Sequence, residues 1–279
     1  MNARTAGAVL AASVVSAILA GNLSWRVTTA RTIRRLAAVP VEGEAAMPAE
    51  RAEALPAPVA RYLCIALPRD APRIVSAHMT QTGTMRAAPE ARWMPFTAVE
   101  AFTVRPPGFV WDASVRAMPF VPLRVRDGYV AGRGASEAAL AGAIPVFSQP
   151  GGAEIDAAAL PRFLAEAIWF PTFFAPGGDV AWTTLDERRA RATLTDRGTT
   201  VSLDAEFAPN GELTTISAMR YRDVNGTPVL TRWIGRCSAY ARFDGMMIPA
   251  DVEVSWAPPE GAFAVWRGHL TAVRYHFAD

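Results

Sequence analysis

The sequence predicts an α+β protein that is mainly antiparallel β, with an N-terminal transmembrane helix in front of the sheet. Three features predict it: many segments that alternate apolar and polar residues, one internal segment with helical apolar spacing, and a long uncharged run near the start. The 279 residues are 51% hydrophobic and 19% charged, so the chain is able to bury a sizeable core. This composition excludes a disordered chain and a multi-pass membrane protein.

The uncharged run extends from Ala6 to Trp25. Roughly 20 helical residues at about 1.5 Å rise cover about 30 Å of hydrocarbon, and a tryptophan at the end of such a run is typical of the membrane interface. A cleaved signal peptide is the alternative, with Arg4 as its charged start and Val15-Ser16-Ala17 as its cleavage triplet. Residues 1–25 are therefore expected to form a membrane anchor or a signal segment.

The basic residues around this run bear on orientation. Arginines 26, 31, 34 and 35 follow the run, whereas Arg4 precedes it, so the positive-inside rule keeps the rest of the chain in the cytoplasm. A signal-like start would place it on the far side, and the sequence leaves both open.

Residues 26–54 are expected to be a basic juxtamembrane segment and a tether, and residues 55–279 a single β-rich domain.

Within that domain, prolines open a short helix near residues 55–63, and one internal helix is expected from Leu160 to Phe170. Pro161 would begin this helix and Pro171 would end it. The pairs Asp127-Gly128 and Asp244-Gly245 are typical of turns. About eleven segments alternate with a period of two, which favours a large curved sheet, either a half-barrel or two stacked sheets: 74–83, 93–104, 108–117, 121–132, 180–185, 189–195, 199–207, 212–222, 229–243, 246–256 and 262–277.

The ionisable residues indicate little chemistry. His78, His269 and His276 are the only histidines, and the seven-residue spacing of the last two predicts opposite faces of one strand, so we expect no metal site. Cys64 and Cys237 stand outside any CxxC pair, which leaves a disulfide and two buried thiols both open. The net charge of +2 gives no electrostatic signal for nucleic acid, and no nucleotide-binding motif indicates a cofactor.

Glu166 is the first candidate for a catalytic group, with His78 and Asp112 as weaker ones. It follows Arg162 by one helical turn, which favours a solvated ion pair. Its neighbour Trp169 favours the alternative of an acid with a raised pKa at the edge of a cleft. A turn accounts for Asp127.

Aromatic residues recur along the predicted strands, and most of them are expected to pack in the core. One short helix cannot easily fill the concave face of a curved sheet, so an apolar concavity remains for a lipid-like ligand. The candidate ligand-binding residues are five aromatics and two arginines: Trp93, Phe109, Trp111, Trp169, Trp233, Arg220 and Arg222.

Several strings resemble an uncharacterised bacterial family of proteins with one N-terminal membrane segment. They include residues 55–63, Trp93-Met94-Pro95-Phe96, residues 107–113 and residues 164–172. The resemblance covers nearly the whole domain after the tether and transfers no catalytic residue. It implies a single-pass protein of the bacterial inner membrane. The strand-rich layout is also similar to the half-barrel of the periplasmic lipoprotein carriers LolA and LolB, in architecture only.

The leading hypothesis is a membrane-anchored protein whose curved sheet binds an apolar or amphipathic ligand, with the membrane as its partner and with no cofactor. Two alternatives stay open. One is a hydrolase or isomerase that uses Glu166 with His78 or Asp112 in the same cavity. The other is a structural or interaction module of a cell-envelope complex, which an exposed apolar patch outside the concavity would favour.

Overall fold

The computed structural model describes residues 3–39 and 55–278, with the side chains of residues 12, 13 and 15 onward in the first helix. The described helices are α1 (Ala3–Ala37), α2 (Ala57–Ala66) and α3 (Ala153–Glu166), followed by two 3₁₀ helices at Ala167–Trp169 and Pro171–Phe174. The described strands are β1 (Ile74–Met85), β2 (Met94–Thr103), β3 (Gly108–Val115), β4 (Leu123–Val130), β5 (Arg133–Leu140), β6 (Ile144–Pro150), β7 (Val180–Thr184), β8 (Arg189–Asp196), β9 (Thr199–Phe207), β10 (Leu213–Val224), β11 (Thr227–Phe243), β12 (Met246–Ala257) and β13 (Phe263–Phe277).

All of these strands belong to one antiparallel sheet in the order β6-β5-β4-β3-β2-β1-β13-β12-β11-β10-β9-β8-β7. The chain therefore forms two meanders that meet where β1 pairs with β13, with Ala77 opposite Tyr275. Helix α3 lies on the inner face and contacts β5 on one side and β9 and β10 on the other. The prediction of a large, mainly antiparallel sheet with an internal helix is confirmed.

The core lies between the inner face and the segment from α3 to Phe174. Alternation places Phe102 and Phe109 inward on neighbouring strands, opposite each other in register. Phe163 and Phe170 pack against them from the side of the helix, and the ring centroids of Phe102 and Phe170 lie 4.9 Å apart. All four are at most 1% exposed. Burial stabilises the fold by about 1.5–3 kcal/mol for each such ring, so this layer is a main support of the curved sheet.

Helix α1 packs along the outer face of β2, β3 and β4. Gly21 approaches Ala143 in the β5–β6 turn so closely that a Cβ at Gly21 would lie 2.5 Å from the Ala143 Cβ. At the other end, Leu36 packs with Ala101 and Val110. Trp25, predicted to lie at a membrane interface, is instead buried against the sheet at 5% exposure.

The described part of the chain contains no helix that is long and apolar enough to cross a membrane. The anchor in residues 1–25 and the tether in residues 26–54 stay predictions, and most of the tether lies outside the described residues. Residues 26–37 are helical and form the rest of α1.

Several local predictions need correction. Helix α3 begins at Ala153, not at Pro161, because the acidic side chains of Glu154 and Asp156 suit a helix N-terminus. Pro161 lies inside the helix. Strands β5 and β6 were missed, since β5 is rich in alanine and every residue of β6 is exposed, which leaves no alternation to read.

The two predicted Asp-Gly turns have different outcomes. Asp244-Gly245 forms the β11–β12 turn with positive φ angles of 43° and 89°, as a tight hairpin requires. Asp127-Gly128 lies in the middle of β4, where Asp127 pairs with Trp111 on one side and Ser136 on the other. The turn interpretation of Asp127 is therefore wrong.

The two late histidines share one face of β13. His269 and His276 both point outward because β13 has one extra residue in its pairing with β1. Thr80 pairs with Ala272, but the next residue, Gln81, pairs with Leu270. The extra residue lets Thr271 and Ala272 both be exposed, while Leu270 and Val273 are both buried. The prediction of opposite faces is wrong for this reason.

Candidate functional site

A cluster of charged side chains lies between α3 and the inner face of the sheet. We call Glu100, Asp127, Arg162, Glu166 and Arg220 the inner charge cluster. Arg162 is its centre: Nε donates to Glu166 Oε1 at 2.8 Å, and Nη1 donates to Asp127 Oδ2 at 2.7 Å. Its Nη2 donates to Glu100 Oε1 at 3.3 Å. One guanidinium therefore bridges three carboxyl groups from three elements.

Aromatic rings hold this guanidinium in place. The Arg162 Cζ lies 4.8 Å from the Phe109 ring centroid and 5.3 Å from that of Trp111. Such stacking favours a cation in a desolvated position. The Glu166–Arg162 pair predicted from the sequence exists, but it faces the sheet and is not a solvated surface pair.

Two carboxyl groups of the cluster disfavour each other's ionisation. Burial and the neighbouring Glu166 charge raise the pKa of Glu100 well above its usual range. Burial also raises the pKa of Glu166, against the opposing effect of Arg162. Glu100 Oε2 accepts a hydrogen bond from Gln81 Nε2 at 2.9 Å, and Gln81 Oε1 accepts one from Trp111 Nε1 at 2.9 Å. Glu100 is therefore part of a buried chain of polar groups that joins Arg162 to Gln81 and Trp111.

Asp112 and His78 do not share this site. Inner and outer positions alternate along a strand, and both residues point to the outer face, opposite Glu166. His78 packs edge-on against His276, with ring centroids 6.0 Å apart. The hypothesis that Glu166 works with either of them in one cavity is wrong.

Asp112 holds α1 on the sheet. Its Oδ1 accepts a hydrogen bond from Trp25 Nε1 at 3.0 Å, and its Oδ2 accepts one from the Thr29 hydroxyl at 2.7 Å. Arg124 Nη2 donates to the same carboxylate at 2.6 Å. Arg126 completes the contact, since Nη1 donates to the Thr29 hydroxyl at 2.7 Å and the guanidinium stacks over Trp25.

Four of the five aromatic candidates have protein partners inside the fold. Phe109 and Trp111 are buried below Arg162. Trp169 is buried and donates from Nε1 to the Pro249 carbonyl at 3.1 Å. Trp233 lies under Arg220, with the Arg220 Cζ 5.1 Å from its ring centroid. They form walls of the core, and little of their surface is free.

Trp93 lies elsewhere, in the β1–β2 turn. Its ring is enclosed by the guanidinium groups of Arg86 and Arg267, 4.7 and 4.4 Å from its centroid. Arg267 belongs to the outer face, where it pairs with Glu253. Trp93 is therefore separate from the inner charge cluster.

A partly exposed apolar stretch of the inner surface lies where β1, β2, β12 and β13 end at their hairpins. We call it the aromatic mouth. In register, Met85 lies opposite Met94 and Trp266, Val254 lies opposite Trp266, and Trp256 lies opposite Phe263. Its members are all partly exposed: Met85, Met94, Val254, Trp256, Phe263 and Trp266.

Glycine shapes this surface. A Cβ at Gly268 would lie only 1.9 Å from the Trp266 ring, so the indole lies flat on the strand where the glycine leaves room. Phe96 stacks on the other side of Trp266, with centroids 5.6 Å apart. Because the indole lies flat against the strand at Gly268, the inner surface is apolar there and the side chain does not project far from the sheet.

Two arginines of β10, Arg220 and Arg222, border the mouth and share the inner face of the sheet. The Arg222 Cζ lies 5.5 Å from the Phe263 ring centroid. Arg220 Nη2 donates to the Ala158 carbonyl at 2.8 Å, and burial together with the Arg162 charge lowers the pKa of Arg220 to about 10. Both Nε atoms are buried without a hydrogen-bond partner. Unpaired buried donors of this kind are rare in native proteins.

A protein-family comparison covers most of the chain. Residues 53–275 match the model of DUF6920, described as a family of unknown function. The chain belongs to the DUF6920 family. The comparison with curated proteins finds no match.

Two solved structures are similar to this DUF6920 chain. One is a LolA superfamily protein from Nitrosomonas europaea, with 15% identity and a TM-score of 0.34 over 80% of this chain and 93% of that one. The other is a β-barrel-like protein of the DUF1849 domain of unknown function from Brucella abortus, with 12% identity and a TM-score of 0.24 over 74% of this chain and 100% of that one.

The DUF6920 chain also has a groove on its outer face, with a volume of about 940 Å³. His269 Nδ1 lies 2.6 Å from Asp251 in this groove, and Arg267 Nε donates to Glu253 at 2.8 Å. Threonines, a serine and arginines line the rest of it together with apolar groups that include Phe96 and Val252. Among the residues that the structure describes, no three histidine, cysteine or acidic side chains are grouped to hold a metal ion.

Sequence reasoning missed two parts of the site. Glu100 and Gln81 were not singled out, although each is a polar residue at an inward position, which was the available signal. Trp256 and Trp266 were not among the candidate ligand-binding residues. Cys64 and Cys237 are free thiols, and Cys237 is buried, which raises its pKa to about 12.

Proposed function

We propose that this protein is a membrane-attached binding protein that takes an amphipathic, anionic, lipid-like ligand at the aromatic mouth. One observation carries the proposal: a partly exposed apolar surface lies beside Arg222, whose buried Nε has no hydrogen-bond partner. An acyl chain would cover the Trp256 and Trp266 rings, and its acidic group would accept hydrogen bonds from Arg222.

The chemistry of the mouth supports an anion over a neutral lipid. Arg222 makes no ion pair among the described residues, and its guanidinium is in contact with the Phe263 ring. Arg220, one inner position further along β10, is held by the Ala158 carbonyl and adds positive charge nearby. The acids Glu166 and Asp127 are already bound by Arg162, so they leave the charge of Arg222 unneutralised.

Attachment to the bacterial inner membrane through the part of the uncharged run that precedes Gly21 is part of this proposal. It is supported by the uncharged run and by the arginines that follow it at positions 26, 31, 34 and 35. Helix α1 continues from that run and docks on the sheet through Trp25 and Thr29, so the domain would be held against the bilayer without a flexible joint.

The test uses the full chain in detergent with a photoreactive fatty acid, followed by mass spectrometry of the labelled peptides. We expect labelling of peptides that contain Trp256, Trp266 or Met85, and a drop of about tenfold in Arg222→Gln, since a charge-assisted hydrogen bond contributes about 1.5–3 kcal/mol. The matched control is Arg236→Gln, which removes an exposed arginine of the outer face. Equal labelling of both variants, or labelling outside the mouth, would overturn the proposal.

A further inference from the structure

Two neighbouring hairpins expose apolar side chains at their tips. The turn between β3 and β4 carries Phe120, which is 99% exposed, and Met118, which is 42% exposed. At the turn between β5 and β6, Ile144 is 63% exposed. Because β3, β4, β5 and β6 are consecutive in the sheet, both turns lie at the same end of these strands.

The conformation of Phe120 makes its exposure costly. Its φ is +64°, in the left-handed region that a bulky side chain rarely adopts. Strain of this kind persists where something in the surroundings compensates for it. A fully exposed ring gains no burial from the described domain, so the compensating partner must lie outside it.

Helix α1 leaves the sheet beside these turns. At one end, Leu36 of α1 approaches Gly108, at the end of β3 far from these turns. At the other end, Gly21 approaches Ala141 and Ala143 in the β5–β6 turn. The residues that precede Gly21 therefore extend past the β5–β6 turn. From Gly21 back to Ala6 the helix covers about 22 Å at about 1.5 Å per residue, and this stretch is the part of the uncharged run that precedes the contact with the sheet.

Basic groups surround the Phe120 turn. Arg92 donates from Nη2 to the Ala117 carbonyl, which attaches its guanidinium to this turn. Arg116 is exposed and makes no ion pair among the described residues. A ring with two arginines beside it is suited to an interface that is apolar below and anionic at its surface.

We propose that the β3–β4 and β5–β6 turns contact the lipid bilayer into which α1 inserts. Phe120, Met118 and Ile144 enter the boundary between headgroups and acyl chains, and Arg92 and Arg116 contact anionic headgroups. This inference rests on the membrane attachment in the proposed function and adds a fixed orientation to it. The turns and α1 together form a three-point contact, which holds the aromatic mouth at a set height above the lipid.

The experiment places one environment-sensitive fluorophore at a time on the full chain, in a Cys64→Ser background that leaves only the buried Cys237. The sites are Phe120→Cys and Ile144→Cys, with Leu185→Cys as the matched control. Leu185 is an exposed apolar residue of the β7–β8 turn, at 39% exposure, on the other meander. Ala12→Cys reports on the anchor itself. The protein is reconstituted in vesicles of phosphatidylcholine and phosphatidylglycerol, with and without doxyl-labelled lipid.

We expect blue-shifted emission and quenching by doxyl lipid at residues 12, 120 and 144. Quenching at residue 185 should be lower by about twofold or more, because that site lies outside the interfacial layer. Quenching at residue 12 with a water-like signal at 120 and 144 would overturn this inference and leave the anchor standing. A water-like signal at residue 12 as well would overturn both. Blue-shifted emission at 120 without lipid quenching would assign the turn to a protein partner and also overturn the inference.

Discussion

Replacing Asp112 by alanine is the most informative single change to the packing of α1. The carboxylate is 5% exposed and accepts hydrogen bonds from Trp25, Thr29 and Arg124. A hydrogen bond to a charged group contributes about 1.5–3 kcal/mol, and the two from α1 would give about 3–6 kcal/mol if they added fully. Thr29 keeps its contact with Arg126, so we expect a loss of about 3 kcal/mol in the docking of α1, within the range for a lost buried partner.

Hydrogen exchange of the full chain in detergent measures this loss. If the amides of residues 21–37 exchange when α1 leaves the sheet, about 3 kcal/mol corresponds to roughly a hundredfold faster exchange in Asp112→Ala. The control is Asp204→Ala, which removes an exposed carboxylate bound by Arg191 and should change exchange in α1 hardly at all, because exposed pairs contribute about 0–1 kcal/mol. Unchanged exchange in Asp112→Ala would refute the role of this carboxylate.

Four further outcomes are expected from the inner face and one turn. The raised pKa of Glu100 makes the folded state lose stability as pH rises above about 4.3, the pKa of a glutamate in the unfolded chain. Glu100→Gln should therefore gain stability relative to the wild type across that rise, measured as urea midpoints from acid to alkaline pH. Parallel curves for the two proteins would contradict this expectation. Arg162→Met should cost about 3–5 kcal/mol, since buried carboxyl groups lose their partner, and a loss under about 1 kcal/mol in the same urea titration would contradict the buried cluster. Gly268→Ala should displace the Trp266 ring and cost about 1–3 kcal/mol, visible in tryptophan fluorescence and thermal unfolding, and an unchanged spectrum would contradict the contact. Gly245→Ala, at φ +89° with open space around it, should cost about 1 kcal/mol from backbone strain alone, without a change in the spectrum.

The sheet could be predicted because its strands alternate clearly. In β9, Leu203, Ala205 and Phe207 are buried while the residues between them face outward or remain partly exposed, and the same reading found most other strands. It failed for β6, whose residues are all exposed, because an edge strand with no buried face carries no alternation. The helix face of α3 was found through Phe163 and Leu164, but its start was missed because a proline inside a helix reads as a beginning.

The candidate site could be predicted only in part, because its members come from strands far apart in sequence. Glu166 and Arg162 are neighbours on one helix, and their pair follows from spacing alone. That Glu100 lies beside them depends on how the sheet curves around α3, which no local pattern records. Asp112 was assigned to the same cavity as Glu166, although position parity along β3 places it outside, and only the docking of α1 explains why a carboxylate is buried there.

In the proposed function, the aromatic mouth holds the acyl chain of an anionic amphiphile. The most direct test is a crystal structure of the full chain with a fatty acid brominated at the end of its chain, in which the bromine is located by anomalous scattering. We expect a bromine peak in contact with the Trp256 or Trp266 ring and carboxylate density at the Arg222 guanidinium. A bromine peak only outside the mouth, with Arg222 still lacking an acceptor, would contradict it.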